Sequence, residues 1–212
     1  MKNLQKHFMN ITKTATDSRP NLKNVFYDET DNYMKATDSF RALSFKNDFT
    51  IEQSVLINPM TLEYSTRGHY PDINRLNNQA LIANQSLIFK NDVDLSGFKK
   101  VISMYKRKGM FLRFTINGAK KEVIVKNARD EILQILEIES IYDEQLIIDV
   151  TLSGLYLYHL IEFLNDYRKE CKNKLTVYLN NSTEIVEIVR PFLITDNDKF
   201  IYLLSPIRTR YE

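Results

Sequence analysis

The groups able to do chemistry in this chain are three histidines, two carboxylate clusters and one cysteine. Acid–base work, nucleophilic attack and metal ligation each need such groups at defined spacings. His7, His69 and His159 share no metal-ligand spacing, and no HExxH-type pattern is present. His7 falls on a helical pattern beside apolar positions, and His159 sits inside "YLYHLIEFL"; both read as packing histidines. His69 lies in the polar stretch "RGHYP". The clusters "YDETDN" and "IESIYDE" hold paired carboxylates. Both coincide with expected turns, where Asp and Glu serve the local backbone. Cys171 lies among Arg168, Lys169, Glu170 and Lys172 and reads as a near-surface thiol. A lone cysteine excludes an intrachain disulfide and a cysteine-cluster metal site. No phosphate-cradling Gly-rich loop and no G-x-S-x-G elbow occurs. The chain is therefore not expected to be an enzyme, and no cofactor is expected.

Composition agrees with a globular protein. The 212 residues are 43% hydrophobic and 26% charged, room for one large or two modest domains. With 12 Tyr and 12 Phe but no Trp, those two rings carry the aromatic packing. A formal net charge of +2 is far from that of a protein held on nucleic acid by charge alone. A local basic face remains compatible with it, and Lys106-Arg107-Lys108 is one short basic run. The N-terminus has no signal-peptide core and no apolar run reaches the ~20 residues of a membrane span. The expected location is cytoplasmic, without membrane contact.

Periodicity supplies the elements. Leu4, Phe8 and Ile11 make one helical face within residues 2–14, with Lys2, Lys6 and Lys13 placed elsewhere. "LKNVFYDE" and "NYMKATDS" read as a hairpin, and "RALSFKND" and "QSVLINP" as strands. Alternation turns Arg41 away from its neighbours Phe40 and Ala42, towards a structural ion pair. Residues 64–79, polar and containing Gly68 and Pro71, read as a connection. A domain boundary is placed after them, giving units 1–79 and 80–212. A helix over "DLSGFKKVISMYKRKG", four strands, a helix from Gly154 and three closing strands follow. The last three are "KLTVYLN", "EIVEIVRPF" and "KFIYLLSPI". The class is α+β.

Three segments resemble one family. "RPNLKNVFYDETDNYMKATDSFRALSF", "YPDINRL" and "FIYLLSPIRTR" are similar, in order, to segments of the bacterial DNA sliding clamp, the beta subunit of the replicative polymerase. "IIDVTLSGLYLYHLIEFLND" resembles the approach to a helix in that family's last domain, and "IVRPF" the strand before its final hairpin. The resemblance covers nearly the whole chain but only the family's middle and last domains, the middle one shortened. It implies the DNA-clamp fold, with antiparallel sheets and helices on one face.

The resemblance also implies partners. The family holds peptide motifs of polymerases and clamp loaders in a hydrophobic pocket between its middle and last domains. The matching positions are Leu22, Thr37, Ser39, Phe40, Ala42, Pro71, Arg75, Leu76, Leu203, Ser205, Pro206, Ile207 and Arg208. Ser39-Phe40 stands where the family has a small residue and a His, with Phe40 expected on the floor. Ser205 stands where the family has Met. The family encircles double-stranded DNA without reading its sequence, as a closed oligomer. Lys2, Lys6, Lys13, Lys99, Lys100, Lys106 and Lys108 would face it here. Three functions remain open: a small ring-forming processivity factor of a phage or mobile element; a non-ring module that recruits or sequesters replication proteins; or a mobile-element DNA-binding protein.

Overall fold

The computed structural model describes residues 1–50, 52–82, 85–179 and 191–207. Helix α1 spans Leu4–Thr12, and strands β1 (Val25–Asp28), β2 (Tyr33–Thr37) and β3 (Arg41–Lys46) form a meander. The short strands β4 (Val55–Ile57) and β5 (Tyr64–Ser65) follow, then α2 (Ile73–Leu81), β6 (Gln85–Phe89) and α3 (Leu95–Ile102). Next come β7 (Phe111–Asn117), β8 (Glu122–Lys126), β9 (Ile132–Ile141), β10 (Ile147–Ser153) and α4 (Gly154–Arg168). β11 (Thr176–Leu179), β12 (Phe192–Thr195) and β13 (Phe200–Leu204) close the fold. The 13 strands of the described residues join one antiparallel sheet, ordered β10-β7-β8-β9-β6-β11-β12-β13-β3-β2-β1-β4-β5. The last strand therefore bonds the third, with Leu203 opposite Ala42.

Side chains alternate across this sheet, and the alternation sorts the core. Tyr202 and Leu204, Phe192 and Ile194, and Leu43 face α1, α3 and α4 in the larger cluster. Their neighbours Leu203, Leu193 and Ala42 face the other way, into a smaller cluster with Leu22, Tyr70 and Ile73. Phe163 of α4 is fully buried and meets the rings of His7, Tyr167, Phe200 and Tyr202. Cys171 is half-buried. Ser153 caps α4, accepting from the Tyr156 amide at 3.5 Å. Gly154 is required there: a Cβ would stand 2.3 Å from the Tyr105 carbonyl oxygen.

Residues 64–79 are not a plain connection. They form β5 and most of α2, which runs across the expected boundary to Leu81. Asp72 starts that helix, its carboxylate accepting from the Arg75 amide at 2.9 Å. Ile73, Asn77 and Ala80, at spacings of four and three, supply its buried face. α2 packs on β11 and β12, on the sheet face opposite the other three helices. β6 is an additional strand, completing the sheet between β9 and β11. Of the closing strand expected over "EIVEIVRPF", Phe192 lies in β12, and residues 184–190 lie outside the described residues. Among the described residues no helix is long and apolar enough to cross a membrane.

Candidate functional site

The turn between β2 and β3 is built from "TDSF". The Asp38 carboxylate accepts from the amides of Phe40 at 3.0 Å and Arg41 at 3.1 Å. The Thr37 hydroxyl donates to the Arg41 carbonyl at 2.7 Å and accepts from the Ser39 amide at 3.1 Å. Ser39 sits at φ 81°, in the left-handed region that side chains other than glycine occupy at a cost. The Phe40 carbonyl accepts from the Ser205 amide at 2.9 Å, which pins the turn to the end of β13.

Behind the turn, Arg41 points inward, in the direction alternation assigns it, and is buried with Asp38. Its Nε donates to Asp38 Oδ2 at 3.0 Å, and one terminal nitrogen donates to His159 Nδ1 at 2.8 Å. The other donates to the Asn10 carbonyl at 2.6 Å and to the Thr14 hydroxyl at 3.1 Å. That hydroxyl lies 2.6 Å from Asp38 Oδ2, and the guanidinium carbon stands 4.3 Å from the Tyr156 ring centre. Because Nδ1 accepts, the His159 proton sits on Nε2. Burial, then the Arg41 charge, lowers the His159 pKa to about 3.

In front of the turn lies a groove of about 250 Å³. The turn contributes Thr37, Ser39 and Phe40, with Ala42 beyond it; Pro71 and Leu76 come from the α2 region, and Leu203 and Ser205 from the end of β13. Those eight positions, from separate segments, were indicated by sequence. Arg19, Arg41, Ile73 and Pro191 complete the lining and were not indicated. Ile73 was legible, as the first buried residue of the capped α2; Arg19 and Pro191 carry no local signal. Phe40 stands at the rim, 56% exposed, rather than on the floor. The Ser39 turn swings it outward, and it stacks on Tyr156 with centroids 6.4 Å apart.

Other indicated positions lie beside the groove. Leu22 is buried in the cluster beneath it, and Arg75 is exposed on α2. Pro206 and Ile207 are half-buried just past β13, where the Ile207 amide donates to the Thr151 carbonyl at 2.8 Å. That bond draws the chain towards β10 and away from the lining. Arg208 lies outside the described residues. Tyr70, of "YPD", is buried and its hydroxyl accepts from the Thr37 amide at 3.1 Å, tying the approach to α2 onto β2. Burial raises that phenol's pKa.

Of the seven lysines, Lys6 lies on α1 and Lys99 and Lys100 on α3, while Lys2, Lys13, Lys106 and Lys108 lie outside the helices. Lys6 and Lys99 both reach Glu162 Oε1 at 2.9 Å. Burial acts to raise the Glu162 pKa; the bonds from Lys99 and Lys6 outweigh it and hold the value at about 2. Lys13 donates to Asn10 Oδ1 at 2.9 Å. Lys106 and Lys99 stand 5.2 and 5.4 Å from the Tyr158 ring centre. Lys2, Lys100 and Lys108 are exposed. His7 is buried beside Asp166 at 3.2 Å, and His69 is exposed in its loop.

This architecture is the DNA-clamp fold, the α+β class the sequence indicated. The sliding clamp of Bacillus subtilis DNA polymerase superposes with a TM-score of 0.67 at 18% identity, over 98% of this chain and 63% of the clamp chain. The beta subunit from the DNA polymerase of Streptococcus pyogenes gives 0.64 at 19% identity, over 98% and 64%. A sliding clamp from Bartonella birtlesii, bound to griselimycin, gives 0.63 at 16% identity, over 96% and 64%. The chain thus spans slightly under two thirds of the length of the clamps it resembles. No protein-family model matches it, and no curated protein sequence does.

Proposed function

We propose that the chain is a sliding-clamp-like replication accessory protein that holds a short peptide of a polymerase or clamp loader in the Phe40–Leu76–Leu203 groove. One observation supports this above the rest: residues from the β2–β3 turn, α2 and the end of β13 converge on one concavity in a chain of clamp fold. An apolar floor with a polar rim suits a peptide anchored by a Leu or Phe side chain. In this reading residues 1–79 form a shortened clamp-like unit and 80–212 a complete one. Calorimetry with a peptide bearing a Leu-Phe anchor is expected to give micromolar affinity. Leu76→Asp places a charge against the anchor and is expected to weaken it by tenfold or more, about 1.4 kcal/mol. Undiminished binding by that variant counts against the groove.

The helix layer would face double-stranded DNA in a closed homo-oligomer. A second reading, a module that recruits replication proteins without a ring, is favoured by Glu162, which occupies two of the seven lysines. Glu162→Gln is expected to strengthen duplex DNA binding several-fold at low salt. It is also expected to steepen the log–log salt slope by about two, one unit per released lysine. Unchanged slope and affinity would mean that Lys6 and Lys99 do not meet phosphate.

A further inference from the structure

The larger core cluster encloses a cavity of about 100 Å³. Its wall takes side chains from each of the eight strands β6 to β13 and, among the described helices, from α3 and α4. Eight strands at about 4.8 Å spacing make a surface roughly 34 Å across when flat. Two helices with axes about 10 Å apart cover roughly 20 Å of it. The cavity is what the two helices leave uncovered.

No polar atom faces this space. Phe98, Phe114, Val123, Leu157 and Leu164 are all buried in its wall. Among the described residues of the wall Arg168 is the only charged one, and it contributes its aliphatic stem. The buried polar atoms without a hydrogen-bond partner all lie on residues outside the wall. A water molecule needs two to four polar partners, so the space favours apolar matter. Wall atoms with no neighbour on one side forgo dispersion contacts, which a fitting apolar molecule restores. A cavity of about 150 Å³ lined by Leu, Ile and Phe is large enough to take benzene.

Arg168 also marks the way in. Its guanidinium donates to the carbonyls of Asn91 at 3.1 Å, Val93 at 3.4 Å and Lys90 at 3.5 Å. Those residues link β6 to α3. The wall residues at the two ends of the link, Phe89 and Val93, are half-buried, as is Arg168. One side chain therefore both walls the cavity and latches the segment beside its opening.

We propose that this cavity binds a small uncharged apolar molecule of about the size of a benzene ring, which enters past residues 90–93 when the Arg168 latch opens. The site is independent of the groove at the β2–β3 turn: the two share no lining residue. Hydroxylated and charged analogues are disfavoured, because nothing inside the cavity can pair with them.

The test uses benzene, phenol and benzoate at matched concentrations, followed by methyl-resolved NMR and by thermal melting. Benzene is expected to move the methyl resonances of Val123, Leu157 and Leu164. Near saturation it should raise the melting temperature by on the order of 3 °C. Phenol should bind about fivefold more weakly or worse, and benzoate should leave those methyls unmoved. Val123→Leu and Leu157→Phe fill the space, and each should lose the melting shift. Arg168→Met keeps the stem but removes the latch, and benzene exchange should become several-fold faster. If the three methyls of the wild type stay still, or phenol binds as tightly as benzene, the proposed site is wrong. Shifts confined to Leu76 and Leu203 would put benzene in the groove and overturn it equally. These readings on the wild type stand whether or not a filled variant folds. Unchanged exchange in Arg168→Met would overturn the entry past residues 90–93.

Discussion

Arg41→Met is expected to cost about 3–5 kcal/mol of folding stability, the range for breaking a buried ion pair from one side. The melting temperature should fall by on the order of 10 °C for a chain of this size. Methionine preserves most of the stem's packing but leaves Asp38 buried without its cation. His159 Nδ1 and the Asn10 carbonyl lose their donors at the same time. An unpaired buried acceptor costs more than the bond it made was worth. Asp38→Asn/Arg41→Met should therefore be more stable than the sum of the single losses, because it removes the stranded charge. Urea denaturation of the four proteins in the cycle measures this coupling. A single-variant loss under about 1 kcal/mol would show that water reaches the cluster and that the turn is held by its backbone bonds alone.

The second large effect is acid lability above the carboxylate range. His159 titrates near 3 in the folded chain, whereas an imidazole in the unfolded chain titrates near 6.5. Below pH 6.5 the unfolded state binds a proton that the folded state refuses. The stability from neutral His159 is thus complete above pH 6.5 and is lost as pH falls towards 3. Between pH 7 and pH 5 the loss comes to about 2 kcal/mol. His7, also lowered by burial despite Asp166, adds in the same direction. Glu162 acts in a separate window: its stabilising charge is complete above about 4.5 and is lost only as pH falls towards 2. His159→Asn keeps an acceptor near the Nδ1 position but cannot take the proton. Its stability should change much less between pH 7 and pH 5, as read from urea midpoints at the two values. A drop equal to the wild type's would place the acid sensitivity elsewhere.

Much of this architecture is written in local pattern. The hairpin of β1 and β2, the α4 stripe of Leu157, Leu160, Ile161 and Leu164, and the inward turn of Arg41 all follow from spacing. α2 was obscured because its polar composition, "INRLNNQAL", resembles a loop; only the Asp72 cap and the spacing of Ile73, Asn77 and Ala80 mark it. β6 was missed because five residues between two helices carry little periodicity. The groove was legible where motifs carry it, at Thr37, Ser39, Pro71 and Leu203. Arg19 and Pro191 reach it only through tertiary placement. Phe40's exposure depends on a positive φ at Ser39, a backbone state that no side-chain pattern announces. The pairing of Lys6 and Lys99 on one carboxylate likewise required three helices to be set side by side.

The hydrogen bonding of β13 to β3 has a consequence for how the molecule is made. Arg41 through Phe45 pair with Phe200 through Leu204, segments far apart in sequence. During synthesis β3 therefore emerges with one edge unfilled and stays so until β13 has also left the ribosome. The meander of β1, β2 and β3 lacks its neighbour on that edge until β13 is translated. Such distant pairing slows folding, since a long loop must close before the contact repays it. It also leaves an apolar strand edge open to other nascent chains meanwhile.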